Sequence, residues 1–104
     1  MQQNLIAEIN KSISRLFRTI GEYSNSLEYG YRALEYYKRN KNKEKELGMR
    51  INLYNSLYLS GEKEQAITQL LKYIPTIKKI DSPYLLTAAY INLGAFYVKD
   101  SRRN

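Results

Sequence analysis

The side chains in this chain that are able to do chemistry are cations, amides and phenols. Seventeen Lys and Arg residues face ten Asp and Glu, a net charge of +7, and there is no histidine and no cysteine. Without histidine the usual general base near neutral pH and the commonest metal ligand are both missing. Without cysteine there is neither a thiolate nucleophile nor a disulfide framework. The acidic residues are not grouped at ligand spacing, so a carboxylate metal site has no basis. The expectation is a protein that is not an enzyme and carries no cofactor and no metal. What remains is recognition. Lys and Arg suit carboxylates and phosphates. Asn both donates and accepts, which suits extended peptide backbone. Eleven tyrosines and no tryptophan suit amphipathic packing, with rings inside and hydroxyls at a rim.

These groups need a frame, and the sequence repeats at one offset. Gly21-Glu22 returns as Gly61-Glu62, and Ile51-Asn52-Leu53 returns as Ile91-Asn92-Leu93, both 40 residues later. The same offset aligns Ile13, Leu53 and Leu93, then Phe17, Leu57 and Tyr97. A shared offset predicts two units and the first helix of a third.

Each unit reads as a helical hairpin. Leu5, Ile9, Ile13, Leu16 and Phe17 follow three-and-four spacing and share one face of a first helix. Gly21 ends it. A second helix starts near Tyr23 or Ser24, carries Leu27, Tyr31, Leu34 and Tyr37, and stops at Asn40 to Asn42. A third runs from about Lys43 to Leu59, with Gly61 behind it. A fourth begins near Glu62, and Pro75 inside it predicts a kink, or an early end followed by another turn to about Lys79. Ser82-Pro83 opens a fifth helix reaching about Lys99, with serine as cap and proline at the first helical position. No strand pattern persists. The predicted fold is all-α, a right-handed stack of antiparallel hairpins in one domain. Hairpin 1 covers 2–40, hairpin 2 covers 43–80, and an unpaired helix covers 83–99.

The residues resemble tetratricopeptide repeats. Tyr90, Asn92-Leu93-Gly94 and Tyr97 match the first-helix pattern of that family. Gly21-Glu22-Tyr23, Ser26 and Ala33-Leu34 match its turn and second helix, and Gly61-Glu62 with Ala66-Ile67 match again. Tyr54 stands where Gly94 stands, Tyr73 stands where Ala33 stands, and Lys63 replaces the turn aromatic. The long period is similar to variants in bacterial regulators and scaffolds. The resemblance implies a scaffold for protein–protein interaction, or the sensor arm of a larger transcriptional or signalling regulator.

It also implies a groove lined by the first helices of successive hairpins. That mapping selects Lys11, Ser12, Arg15 and Arg18, then Asn52, Asn55 and Tyr58, then Asn92 and Lys99. The implied ligand is an acidic or C-terminal peptide segment. A second surface is the basic edge of Lys38, Arg39, Lys41, Lys43 and Lys45, joined by Lys78 and Lys79 at the next such loop. A stripe of this kind neutralises phosphates, so nucleic acid is the further alternative, although no nucleic-acid motif accompanies the charge. Arg102 and Arg103 are expected at the opposite edge.

The fifth helix is apolar nearly all round from Leu85 to Val98, so burial on both sides is expected. Leu85, Leu86, Ala89, Leu93, Phe96 and Tyr97 are the residues assigned to that face. They would be covered by a missing repeat after Asn104, by a homodimer through the C-terminal helix, or by deeper packing of this helix on the fourth. The opening residues Met1 to Glu8 lack a secretory pattern. The stretch from Tyr84 to Val98 is too short to span a bilayer. A cytoplasmic location is the resulting expectation.

Overall fold

A glycine or its substitute closes the first three helices in the same way. A computed structural model of the chain describes residues 2–101. It contains α1 (Gln2–Thr19), α2 (Tyr23–Arg39), α3 (Lys43–Leu59), α4 (Lys63–Lys79) and α5 (Pro83–Ser101), and no strand among the described residues. Arg102 and Arg103 lie outside the described residues. At the end of α1 the Glu22 amide bonds the Phe17 carbonyl and the Gly21 amide bonds that of Arg18. Asn42 to Tyr37 with Lys41 to Lys38, and Glu62 to Leu57 with Gly61 to Tyr58, repeat the pair. This is the Schellman closure, which needs a left-handed residue at its centre. Gly21 and Gly61 supply it with φ of 83° and 107°, and Lys41 adopts it at 54° despite its side chain.

The fourth junction differs. Ile80 is extended and Ser82 caps α5, its hydroxyl accepting from the Leu85 amide at 3.4 Å. The α4 helix runs unbroken through Pro75, so it does not end early. Pro75 and Leu71 both lie on its exposed side, where water can satisfy the carbonyl that proline leaves free.

Consecutive helices pack antiparallel, and α3 also meets both α1 and α5. The helices α2 and α4 make no close approach to each other. The result measures 48 × 32 × 18 Å, and its short dimension is roughly two helix diameters. It is a two-layer stack of hairpins, with α1, α3 and α5 in one layer.

Two apolar clusters hold the stack together. Ala7, Ala33, Leu34, Tyr37, Met49 and Leu53 join α1, α2 and α3. The larger one includes Leu47, Ile51, Leu57, Leu70, Ile77, Leu85, Ala89, Leu93 and Phe96, joining α3, α4 and α5. Between α1, α2 and α3 the contact is through small residues. Ser14 donates to the Ser26 carbonyl at 2.6 Å, Ser26 donates to the Ser14 carbonyl at 2.8 Å, and the Ser26 and Ser56 hydroxyls lie 2.8 Å apart. All three serines are buried, and their reciprocal bonds satisfy groups that would otherwise be costly to bury.

Tyr54 and Tyr73, the two departures from the small-residue pattern, occur together. Their rings stack with centroids 6.3 Å apart, and the Arg50 guanidinium lies 4.4 Å from the centre of Tyr73. Arg50 also binds Glu46 at 3.0 Å and the Tyr54 hydroxyl at 3.3 Å.

Two helices turn differently from their apolar patterns. In α1 the buried residues are Ala7 and Ser14, while Leu5, Ile6, Ile9 and Leu16 are exposed, with Ile20 just beyond. Of the shared apolar face, Leu5, Ile9 and Leu16 therefore point outward, while Ile13 and Phe17 are half-buried and Phe17 stacks on Tyr29 with centroids 5.7 Å apart. In α5, Leu85, Ala89, Leu93 and Phe96 are buried against α3 and α4, and Leu86 packs beside them. Those five are already covered within the chain, which corrects their assignment to an open face. The large apolar side chains that α5 exposes are Tyr84, Tyr90, Ile91, Tyr97 and Val98.

Candidate functional site

The three first-layer helices enclose a cleft of about 660 Å³. Its α1 wall is Lys11, Ser12, Arg15 and Arg18. Its α3 wall includes Glu44, Lys45, Gly48 and Asn52, and Tyr84, Leu85 and Ala88 close it from α5. The periodicity of α1 explains the cationic wall, because positions 11, 15 and 18 fall on one side of a helix. Small residues, Gly48 and Ala88, are among the lining, and a Cβ added at Gly48 would lie 3.5 Å from Cδ2 of Leu85.

The cations in the cleft are held in different ways. The Arg18 guanidinium donates to the Asn52 backbone carbonyl at 3.2 Å and is half-buried. Burial and the nearby Arg15 lower its pKa, so an anion at this point relieves two unfavourable effects. Lys45 is paired with Glu8 at 3.2 Å. Lys11 and Arg15 are exposed and have no ion-pair partner among the described residues. The Asn52 side-chain amide is half-buried and makes no hydrogen bond among the described residues. Glu44 is the one acid among the lining residues.

Glu8 ties the cleft wall to the core. The buried Tyr37 hydroxyl donates to the Glu8 carboxylate, and Lys45 binds the same oxygen. The Tyr37 hydrogen bond, aided by Lys45, lowers the Glu8 pKa. Burial and Glu8 together push the Tyr37 phenol well above its usual value. One acid thereby links α1, α2 and α3.

The remaining sequence-selected residues are elsewhere. Asn55 and Asn92 are half-buried but do not line the cleft. Tyr58 is in the core: it stacks on Phe96 at 4.1 Å, and its hydroxyl reaches the Phe96 carbonyl at 3.1 Å and Asp100 at 2.7 Å. Lys99 lies 5.8 Å from the centre of the Tyr58 ring, in a second hollow shared with Lys63. Of the groove selected from sequence, the fold brings together Lys11, Ser12, Arg15, Arg18 and Asn52.

The basic edge is part paired and part open. Lys38, Arg39, Lys41, Lys43, Lys78 and Lys79 lie at the ends of α2 and α4, in the turn between α2 and α3, and at the start of α3. Lys38 pairs with Glu35 and Lys43 with Glu46. Arg39, Lys41, Lys78 and Lys79 have no acidic partner among the described residues.

Glu44, Gly48 and Tyr84 are among the cleft residues that the sequence reading did not select. The 40-residue offset was the available signal, since it relates Glu44 to Tyr84 and Gly48 to Ala88. No group of His, Cys, Asp or Glu able to hold a metal occurs among the described residues, and none of their helices is long and apolar enough to cross a membrane. Comparison with protein-family models, with curated proteins and with solved structures found no match.

Proposed function

We propose that this chain is a non-enzymatic binding module of tetratricopeptide type, whose cleft between α1, α3 and α5 takes an acidic, extended segment of another protein. The observation that carries this reading is the pair Lys11 and Arg15, which line the cleft without a salt bridge among the described residues, Lys11 lying only within longer electrostatic range of Glu8. Arg18 stands beside them, and the unused Asn52 amide offers a donor and an acceptor for peptide backbone. A cleft of about 660 Å³ falls within the range of roughly 300–1,000 Å³ of ligand pockets. That suits a short segment better than a folded domain. Charge-assisted bonds to carboxylates contribute about 1.5–3 kcal/mol each, so two cations outside any salt bridge make acidic side chains the favoured contacts.

The test is fluorescence anisotropy with a labelled Asp/Glu-rich decapeptide and a labelled single-stranded oligonucleotide. The peptide is expected to bind, and Lys11→Ala with Arg15→Ala should weaken it by at least ~10-fold. Lys41→Ala, Lys78→Ala and Lys79→Ala together should leave peptide binding unchanged. Binding of the oligonucleotide alone, lost in that triple variant and steeply dependent on salt, would transfer the function to the basic edge and sink this reading.

A further inference from the structure

The exposed face of α1 carries five large aliphatic side chains that the fold leaves uncovered among the described residues. Leu5, Ile6, Ile9, Leu16 and Ile20 are between 48% and 61% exposed. They run the length of the helix on the side opposite Ala7 and Ser14. The same arc carries Ser12, Ile13 and Thr19 and no charged residue, whereas Glu8, Lys11, Arg15 and Arg18 all lie outside it. On a chain of net charge +7, this is a surface that two copies can bring together without opposing like charges.

The internal repeat shows what such a face does. Forty residues later, Ile9, Ile13 and Leu16 correspond to Met49, Leu53 and Ser56. In α3 those three are buried against the preceding hairpin, Met49 and Leu53 among Ala7, Ala33, Leu34 and Tyr37, and Ser56 on Ser26. The middle of the stripe on α1 is thus at the docking position of the repeat, while Leu5, Ile6 and Ile20, which correspond to Lys45, Glu46 and Ser60, extend it at either end.

The stripe is also symmetric about its own centre. Leu5, Ile9, Leu16 and Ile20 are separated by 4, 7 and 4 residues, so the pattern reads the same from either end. We infer that α1 pairs with α1 of a second copy, antiparallel and about a two-fold axis. Leu5 then meets the other copy's Ile20, Ile9 meets its Leu16, and Ser12 and Ile13 sit at the axis. Two-fold dimers are the commonest closed assemblies, and their interfaces are self-complementary in this manner. Five half-exposed aliphatic side chains per copy, with their polar rim, remove on the order of 1,000 Å² from water, the lower bound for a specific interface.

An axis perpendicular to both helices leaves the Arg15 flanks of the two copies on the same side. Both clefts then open in one direction. On the acidic-segment reading of the cleft, one ligand with two acidic stretches engages both with enhanced avidity.

Sedimentation velocity on the intact chain, which weighs 12.3 kDa, reads the assembly directly and without any ligand. The wild type is expected to sediment at twice that mass and Ile9→Glu at the monomer mass, with unchanged helical circular dichroism because position 9 is exposed in the monomer. Adding Leu16→Lys to Ile9→Glu in the same chain should restore the dimer, because the two-fold places position 9 of each copy opposite position 16 of the other. A monomeric wild type at every concentration tested overturns the proposal, and the face then belongs to a different polypeptide. A dimer insensitive to Ile9→Glu but lost in Ile91→Glu overturns it in favour of α5. Failure of the double variant to recover overturns the antiparallel register.

Discussion

Replacing Gly30 with alanine tests how closely α1, α2 and α3 meet. Gly30 is buried in mid-helix, where alanine is ordinarily favoured by about 1 kcal/mol. Here a Cβ would lie 2.5 Å from Cδ2 of Leu53, 3.3 Å from its Cγ and 3.0 Å from the Ser14 hydroxyl. Leu53 is itself buried in the cluster with Ala33 and Met49, so it has no free space into which to rotate. Ser14 is fixed by its bond to the Ser26 carbonyl. Overpacking of this kind costs typically 1–3 kcal/mol, which exceeds the helical gain and leaves a net loss of about 1 kcal/mol. In a domain of this size that lowers the melting temperature by roughly 4–8 °C. Gly94 is the internal control, because a Cβ there meets nothing within 4 Å. Gly94→Ala should raise the melting temperature by a similar amount. Thermal unfolding followed by circular dichroism compares the two. If Gly30→Ala stabilises as much as Gly94→Ala does, the tight three-helix junction is refuted.

The turns and the polar links give further expectations. Lys41 adopts a left-handed conformation that its two counterparts assign to glycine, so Lys41→Gly should stabilise the chain by about 0.5–1 kcal/mol in urea titrations, the gain being reduced by the freer unfolded chain. The Glu8 pKa is lowered from its ordinary 4.5 in the folded chain, so its contribution is complete above that value and is lost as pH falls through the folded value. Unfolding measured between pH 3 and 6 should show this acid loss in the wild type and a flatter profile in Glu8→Gln. Tyr58→Phe keeps the stack on Phe96 but removes the hydroxyl that reaches the Phe96 carbonyl and Asp100. A loss of about 1–2 kcal/mol is expected, with the largest rise in amide exchange in the last turns of α5.

The borders of the helices were legible because each is written in local chemistry. Gly21, Gly61 and the Asn40–Asn42 stop mark closures, and Ser82-Pro83 marks a start. The continuity through Pro75 was not legible, since it depends on the proline facing solvent. Helix faces were legible only in part. Most of the apolar stripe on α1 marks a side its own chain does not cover, because α2 approaches through Ala7 and Ser14 and takes only Phe17 from the stripe, against Tyr29. In α5 the apolar residues surround the helix, so no period distinguishes Leu93, which is buried, from Ile91, which is exposed. Tyr54 and Tyr73 looked like two faults in a repeat, and only their contact in space shows one substitution accommodating the other. In the cleft, Lys11, Arg15 and Arg18 followed from the groove that the repeat resemblance implies. Tyr84 required knowing that the start of α5 faces α1 across the cleft, over α3.

The central position of α3 has a consequence for how the chain comes apart. It is the one helix in contact with all four others, whereas α2 and α4 do not touch. Hairpin stacks gain stability from neighbours, and local opening proceeds where neighbours are fewest. Each of the other helices meets two neighbours, so deuterium should enter them before the α3 amides, which exchange last near Leu53 and Ser56. The molecule sheds its outer helices around a persistent spine, and any force that separates the two hairpins must act across that single helix.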